Sequence, residues 1–167
     1  MSSTPDDSIA YLAFLDCTKD FYRQAGRELP YFESDPQSPL TFEASVGEAK
    51  FSIGYDPAAS EASLFIYCAF GPIPEDGAEI ALRRLLALNI GQAREHNATY
   101  CIDTTTDEAV YYQRRDPAQV DAAWLREQLD RVALQAEQWR HDPFSDNLEE
   151  PGSSDDADTV APWQAFA

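Results

Sequence analysis

A chain of 167 residues, 44% apolar and 12% aromatic, is long enough to bury one core and is read as a single domain with a tail. Thirty acidic against twelve basic residues leave a formal charge of -18 and a pI near 4.2, which opposes binding to a phosphate backbone and argues against nucleic acid as a partner. The opening residues, Met1 to Asp7, carry no base and lead into no long apolar run, and nowhere do eighteen apolar residues follow one another; neither signal peptide nor membrane span is expected, and the chain is assigned to the cytoplasm.

In chain order, Ser3 or Thr4 followed by Pro5, Asp6 and Asp7 is a helix start, with a hydroxyl cap, a proline where its missing N–H does no harm, and acids against the helix dipole. The helix is expected to run to about Gly26. Its apolar residues Ile9, Tyr11, Leu12, Phe14, Leu15, Phe21 and Tyr22 cover more than one stripe, so some need a second partner or burial by the loop Leu29 to Pro39. From Leu40 the period changes to two. Leu40, Phe42, Ala44 and Val46 alternate with polar residues, and after Gly47-Glu48 the alternation resumes with Phe51, Ile53 and Tyr55, which predicts a hairpin with a type II′ turn. The next strand, about Ala62 to Phe70, is apolar on both faces and must be covered twice.

Gly71-Pro72-Ile73-Pro74 ends that strand, and Glu75, Asp76 and Glu79 open a second helix reaching about Arg94. Its second half is apolar around most of the cylinder, and the economical way to enclose such a helix is a second copy across a twofold axis. Leu82, Leu85, Leu86, Leu88 and Ile90 are the candidate dimer interface, with burial inside one protomer as the alternative. A second hairpin pairs Ala98 to Asp103 with Glu108 to Arg114 around Thr104-Thr105-Thr106-Asp107. Asp116-Pro117 then starts the third helix, where Val120, Trp124, Leu125, Leu129, Val132, Ala136 and Trp139 keep helical spacing. Residues 1–141 form the domain. Residues 142–167, with seven acids and no base, form a tail expected to be mostly disordered, in which Val160, Trp163 and Phe166 are either incidental or a docking motif.

The expected fold class is therefore α+β, with the order α-β-β-β-α-β-β-α and a twisted antiparallel sheet packed by helices. That order resembles the class I chaperones of bacterial type III secretion, the Tir-chaperone (CesT-like) family, over about residues 8 to 141. The similarity is concentrated in Leu85-Leu86-Ala87-Leu88-Asn89, in Ala98 to Asp103, in Val110-Tyr111-Tyr112-Gln113-Arg114 and in Leu125 to Trp139. The resemblance implies a homodimer joined through the second helix and the neighbouring strand. It further implies binding of an extended, non-globular segment near the N-terminus of a secreted effector, and leaves contact with the secretion ATPase open.

Such a protein would use apolar grooves and strand edges, since an extended segment can add a strand to an exposed edge. The candidate effector-binding residues are Tyr11, Leu15, Phe51, Ile53, Tyr55, Phe65, Tyr67 and Tyr111, each of which serves equally as core. No enzyme is expected. His96 and His141 lack partners in sequence, Asp103 and Asp107 bracket an ordinary turn, and no phosphate loop or His-Glu metal cluster occurs. Cys17, Cys68 and Cys101 are an odd, widely spaced set, expected to be reduced small apolar residues, and no cofactor or metal is expected. The competing reading is a regulatory or adaptor protein similar to the YbjN family, with the same architecture and no secretion client.

Overall fold

The computed structural model of the chain describes residues 5–32, 35–58, 62–95, 97–144 and 163–166. Helix α1 (Pro5–Gln24) leads into the hairpin β1 (Leu40–Val46) and β2 (Ala49–Asp56), followed by β3 (Ser63–Pro72). Helix α2 (Ala78–Glu95), the hairpin β4 (Ala98–Asp103) and β5 (Glu108–Arg115), helix α3 (Ala122–His141) and a short strand β6 (Trp163–Phe166) complete the order. The α-β-β-β-α-β-β-α expectation holds across the core, and β6 is an addition to it.

The breaks fall where backbone chemistry requires them. Gly26 ends α1 at φ +66°, with the Arg27 N–H reaching back to the Tyr22 carbonyl at 3.0 Å and the Gly26 N–H to Arg23 at 3.1 Å. This is the doubly bonded left-handed cap that glycine accepts without a Cβ penalty. Gly47 at φ +57° is the first of two residues between Val46 and Ala49, as a type II′ turn demands. The third helix begins later than expected. Asp116 instead caps a single 3-10 turn, Pro117–Gln119, accepting from Ala118 N–H at 2.9 Å; after extended Val120, Asp121 caps α3 by accepting from Trp124 N–H at 2.8 Å.

The antiparallel sheet runs β4-β5-β3-β2-β1-β6. Cross-strand pairs such as Phe42↔Ile53, Ile53↔Ile66, Ile66↔Gln113 and Tyr100↔Tyr111 place one continuous set of side chains on a single face. Helices α1 and α3 cover that face. Tyr11 and Phe14 meet Tyr55 at ring-centroid distances of 5.5 and 5.7 Å, and Tyr22 meets Phe42 at 5.5 Å. Toward the other end Tyr100 contacts Phe70 and Tyr111, each at 5.6 Å, under α3, where Leu125, Leu129, Val132, Ala136 and Trp139 are buried. The polar tips of these rings are satisfied by α3: the Tyr100 hydroxyl donates to Gln135 at 2.9 Å, and Arg131 donates to the Tyr111 hydroxyl at 3.2 Å. Helix α2 lies along β4 and buries Ala81 and Leu85. Contacts of the domain continue past His141, because Arg84 donates to the Pro143 carbonyl at 3.2 Å and the Phe144 ring lies against Gly77.

Candidate interaction surfaces

Five of the eight candidate binding residues are core. Phe51, Ile53, Tyr55 and Tyr111 have no exposed surface, and Tyr11 is buried against Tyr55. Period-two alternation places them on one face but leaves open which face is covered, and the structure puts them beneath α1 and α3. Leu15, Phe65 and Tyr67 are half-buried and accessible.

On α1, the buried stripe is Tyr11, Phe14, Cys17, Thr18, Phe21 and Tyr22, and Ile9 and Leu12 fall off it, each 59% exposed. The loop after α1 does not cover them. A helical projection of residues 9–22 contains this signal, since Ile9 and Leu12 point away from the mean direction of the aromatic residues.

The sheet face opposite the helices carries a half-buried aromatic strip. Phe65 sits over Gly54, directly opposite it in the β2–β3 ladder; a Cβ at Gly54 would run into the Phe65 ring and the Leu40 carbonyl. The Phe65 ring stacks on Tyr112 at 6.3 Å, and the Arg114 guanidinium lies 5.9 Å from the Tyr112 ring centre while donating to the Tyr112 hydroxyl and to Asp56 at 2.8 and 2.7 Å. Tyr67 donates to Asp103 at 3.1 Å. Burial first, then that hydrogen bond and the Asp103 charge, push the Tyr67 phenol up to about 12. The Thr105 N–H and the Tyr67 hydroxyl hold the Asp103 carboxyl below its ordinary value. Cys101, exposed on β4, has its thiol raised by burial of the sulfur and by Asp103, the opposite of an activated nucleophile.

Helix α2 divides the candidate interface. Leu85 faces the core, Leu82 and Leu88 are half-buried, and Leu86 and Ile90 are 67% and 69% exposed. Ile80 joins the outer face at 63% exposure, beside a surface ion pair in which Arg83 meets Glu79 at 2.9 Å. Gly91 lies on the same side, where a Cβ would meet nothing within 4 Å.

The two sheet edges are treated differently. At the β4 edge the Asn89 side-chain amide donates to the Tyr100 carbonyl at 2.9 Å and its oxygen accepts from the Tyr100 N–H, so an α2 side chain closes one rung of the ladder. At the other edge, β6 pairs antiparallel with β1 in the register Glu43↔Phe166, Ala44↔Ala165, Ser45↔Gln164 and Val46↔Trp163. Of the sequence residues suspected of docking, Trp163 and Phe166 fall in β6 and Val160 lies outside the described residues.

Among the described residues, no group of three or more His, Cys, Asp or Glu could hold a metal, and no helix is long and apolar enough to cross a membrane. His141 is exposed at the end of α3, and His96 lies outside the described residues.

These features define a small α+β protein whose distinguishing elements are open surfaces and strand edges. Solved structures that share the fold include two complexes. The complex of ExsC with ExsE has a TM-score of 0.56 at 15% identity, covering 83% of this chain and 96% of that one; the HopA1–SchA chaperone-effector complex has a TM-score of 0.57 at 12% identity, covering 80% and 97%. Among curated proteins none matches. Residues 55–140 match the Tir chaperone protein (CesT) family, and the chain belongs to that family.

Proposed function

We propose that the chain is a homodimeric type III secretion chaperone that acts in the bacterial cytoplasm, holding an extended, non-globular N-terminal segment of a secreted effector soluble and competent for export. The observation that carries this reading is the apolar surface that a CesT-family fold here leaves uncovered, Ile9 and Leu12 on α1 and Ile80, Leu86 and Ile90 on α2. Scattered exposed apolar residues are ordinary, but two groups on separate helices of one small domain fit two separate contacts.

In this reading α2 meets its twin through Leu86 and Ile90, with Leu82 and Leu88 at the margin and Leu85 supporting the helix from within. The client uses Ile9, Leu12 and Leu15 on α1, and Phe65 and Tyr67 on the bare sheet face. Each fully buried Leu- or Phe-sized anchor contributes about 1.5–3 kcal/mol, so a few per protomer offset the ordering of a disordered client. Tyr11, Phe51, Ile53, Tyr55 and Tyr111 serve it as the rigid base.

The test is affinity capture of the full chain from its native bacterium, with partners identified by mass spectrometry and probed by limited proteolysis. The expected result is a large secreted protein whose N-terminal segment alone is protected. Capture of a folded signalling protein would instead favour the YbjN-like adaptor.

A further inference from the structure

Strand β6 follows the 18 residues 145–162 and, among the described residues, has β1 as its one strand partner. Those intervening residues carry six acids and no base. Four residues on a single neighbour form a short ladder, while β1 behind them is anchored by Phe42, Ala44 and Val46 in the core and by seven paired positions on β2. The acceptor is fixed and the added strand is exchangeable. The β4 edge offers no equal opening, because Asn89 already holds Tyr100 there.

We propose that residues 163–166 are a resident pseudo-client: β6 occupies the outer edge of β1 in the unloaded chain and must leave before an extended client segment can take the Glu43–Val46 register. The inference rests on the chaperone reading for the word client, but the occupancy of the edge is a property of the chain alone. A tether of this length holds its own strand near the edge at an effective concentration of the millimolar order, so an incoming segment competes with a neighbour that is always present. Weak or unspecific peptides are thereby refused, and a client that also engages α1 succeeds. The occupant is a backbone strand, which leaves the recognition sequence-tolerant at the edge and selective at the side chains around it.

The experiment uses the full-length chain, amide hydrogen exchange at residues 43–46, and a fluorescent synthetic peptide matching residues 158–167 as the probe. Gln164→Pro removes the β6 N–H that faces β1 opposite Ser45, and Asp158→Pro places the same residue upstream as a control. The wild-type chain is expected to protect the outward amides of Glu43 and Ser45; Gln164→Pro should lose that protection at least tenfold and bind the peptide at least tenfold more tightly, while Asp158→Pro matches wild type. Wild-type Glu43 and Ser45 amides that exchange at the rate of unpaired, solvent-exposed backbone would overturn the proposal without any variant having to fold. Loss of protection without a gain in peptide binding would show that the edge is no acceptor. Protection that falls on dilution would hand the edge to the tail of a second copy and overturn the intramolecular assignment. None of these readouts needs an effector, so failure to capture a secreted partner would remove the proposed function and leave the edge device standing.

Discussion

Asn89 and Tyr100 exchange two hydrogen bonds, the side-chain amide of one standing in for a peptide unit against the backbone of the other. Tyr100 also donates its hydroxyl to Gln135 and packs its ring on Phe70 and Tyr111, so α2, β4 and α3 converge on one residue. An exposed strand edge is a template for unwanted pairing, and here a helix side chain blocks it.

Asn89→Leu keeps the volume but leaves the Tyr100 N–H and carbonyl without that partner, and stability should fall by about 1–3 kcal/mol in urea titration. Asn89→Asp retains the acceptor alone and should lie between the two. A variant as stable as wild type would show that water replaces the amide without loss.

Leu86→Asp with Ile90→Asp changes only the outer side of α2 and should convert the proposed dimer, of twice the 18.7 kDa chain mass, into a folded monomer in light scattering. Leu85→Asp, by contrast, buries a charge and should unfold the chain. Gly91→Ala separates the states further. In a lone chain it enters open space and stabilises α2 by about 1 kcal/mol, whereas against a close partner it weakens association.

Phe51→Glu should not fold, because the side chain is fully enclosed and even truncation of a buried Phe costs about 3–5 kcal/mol. Leu12→Glu should leave the melting temperature within a degree or two and lower recovery of the captured partner at least tenfold. Equal recovery would remove α1 from the client surface.

Gly54→Ala should destabilise by about 1–3 kcal/mol through overpacking, since the Phe65 ring and the Leu40 carbonyl already fill the space a methyl needs. Phe65→Ala in the same chain should restore part of the loss by vacating it. Additive effects in the double variant would contradict that contact.

Alkaline pH should weaken the fold. Burial raises Tyr67 and Tyr111 to about 12 from 10.0, and Cys17 and Cys68 to about 12 from 9.0. Groups whose folded values lie above their unfolded ones contribute fully below the unfolded value and lose that contribution as pH rises through the folded one, so the decline runs from about pH 9 to 12. Melting curves against pH, with tyrosinate absorbance as the companion signal, check this; Tyr67→Phe should shallow the decline. Asp103 has the opposite sign: its lowered value supports the fold above the ordinary carboxylate range, and the support is lost on acidification.

Period-two alternation in 40–55, the Gly47 turn and the spacing from Leu125 to Trp139 made the core elements legible, because each is set by local geometry. Three things were not local. The assignment of Phe51, Ile53, Tyr55 and Tyr111 to the covered face depends on where α1 and α3 dock, which alternation cannot express. The late start of α3 depends on two successive aspartate caps, Asp116 and Asp121, of which only the first follows the proline signal. Strand β6 has too few residues to show a period, and its partner lies well over a hundred positions upstream.

Helix α2 turns Ala81 and Leu85 inward and Leu86 and Ile90 outward on one cylinder. Anything that sits on its outer side recognises that cylinder only when it is formed, so association and melting share one ledger by mass action. For the homodimer proposed above, concentrating the protein should raise its melting temperature, and dilution alone should loosen a domain whose every internal contact is unchanged.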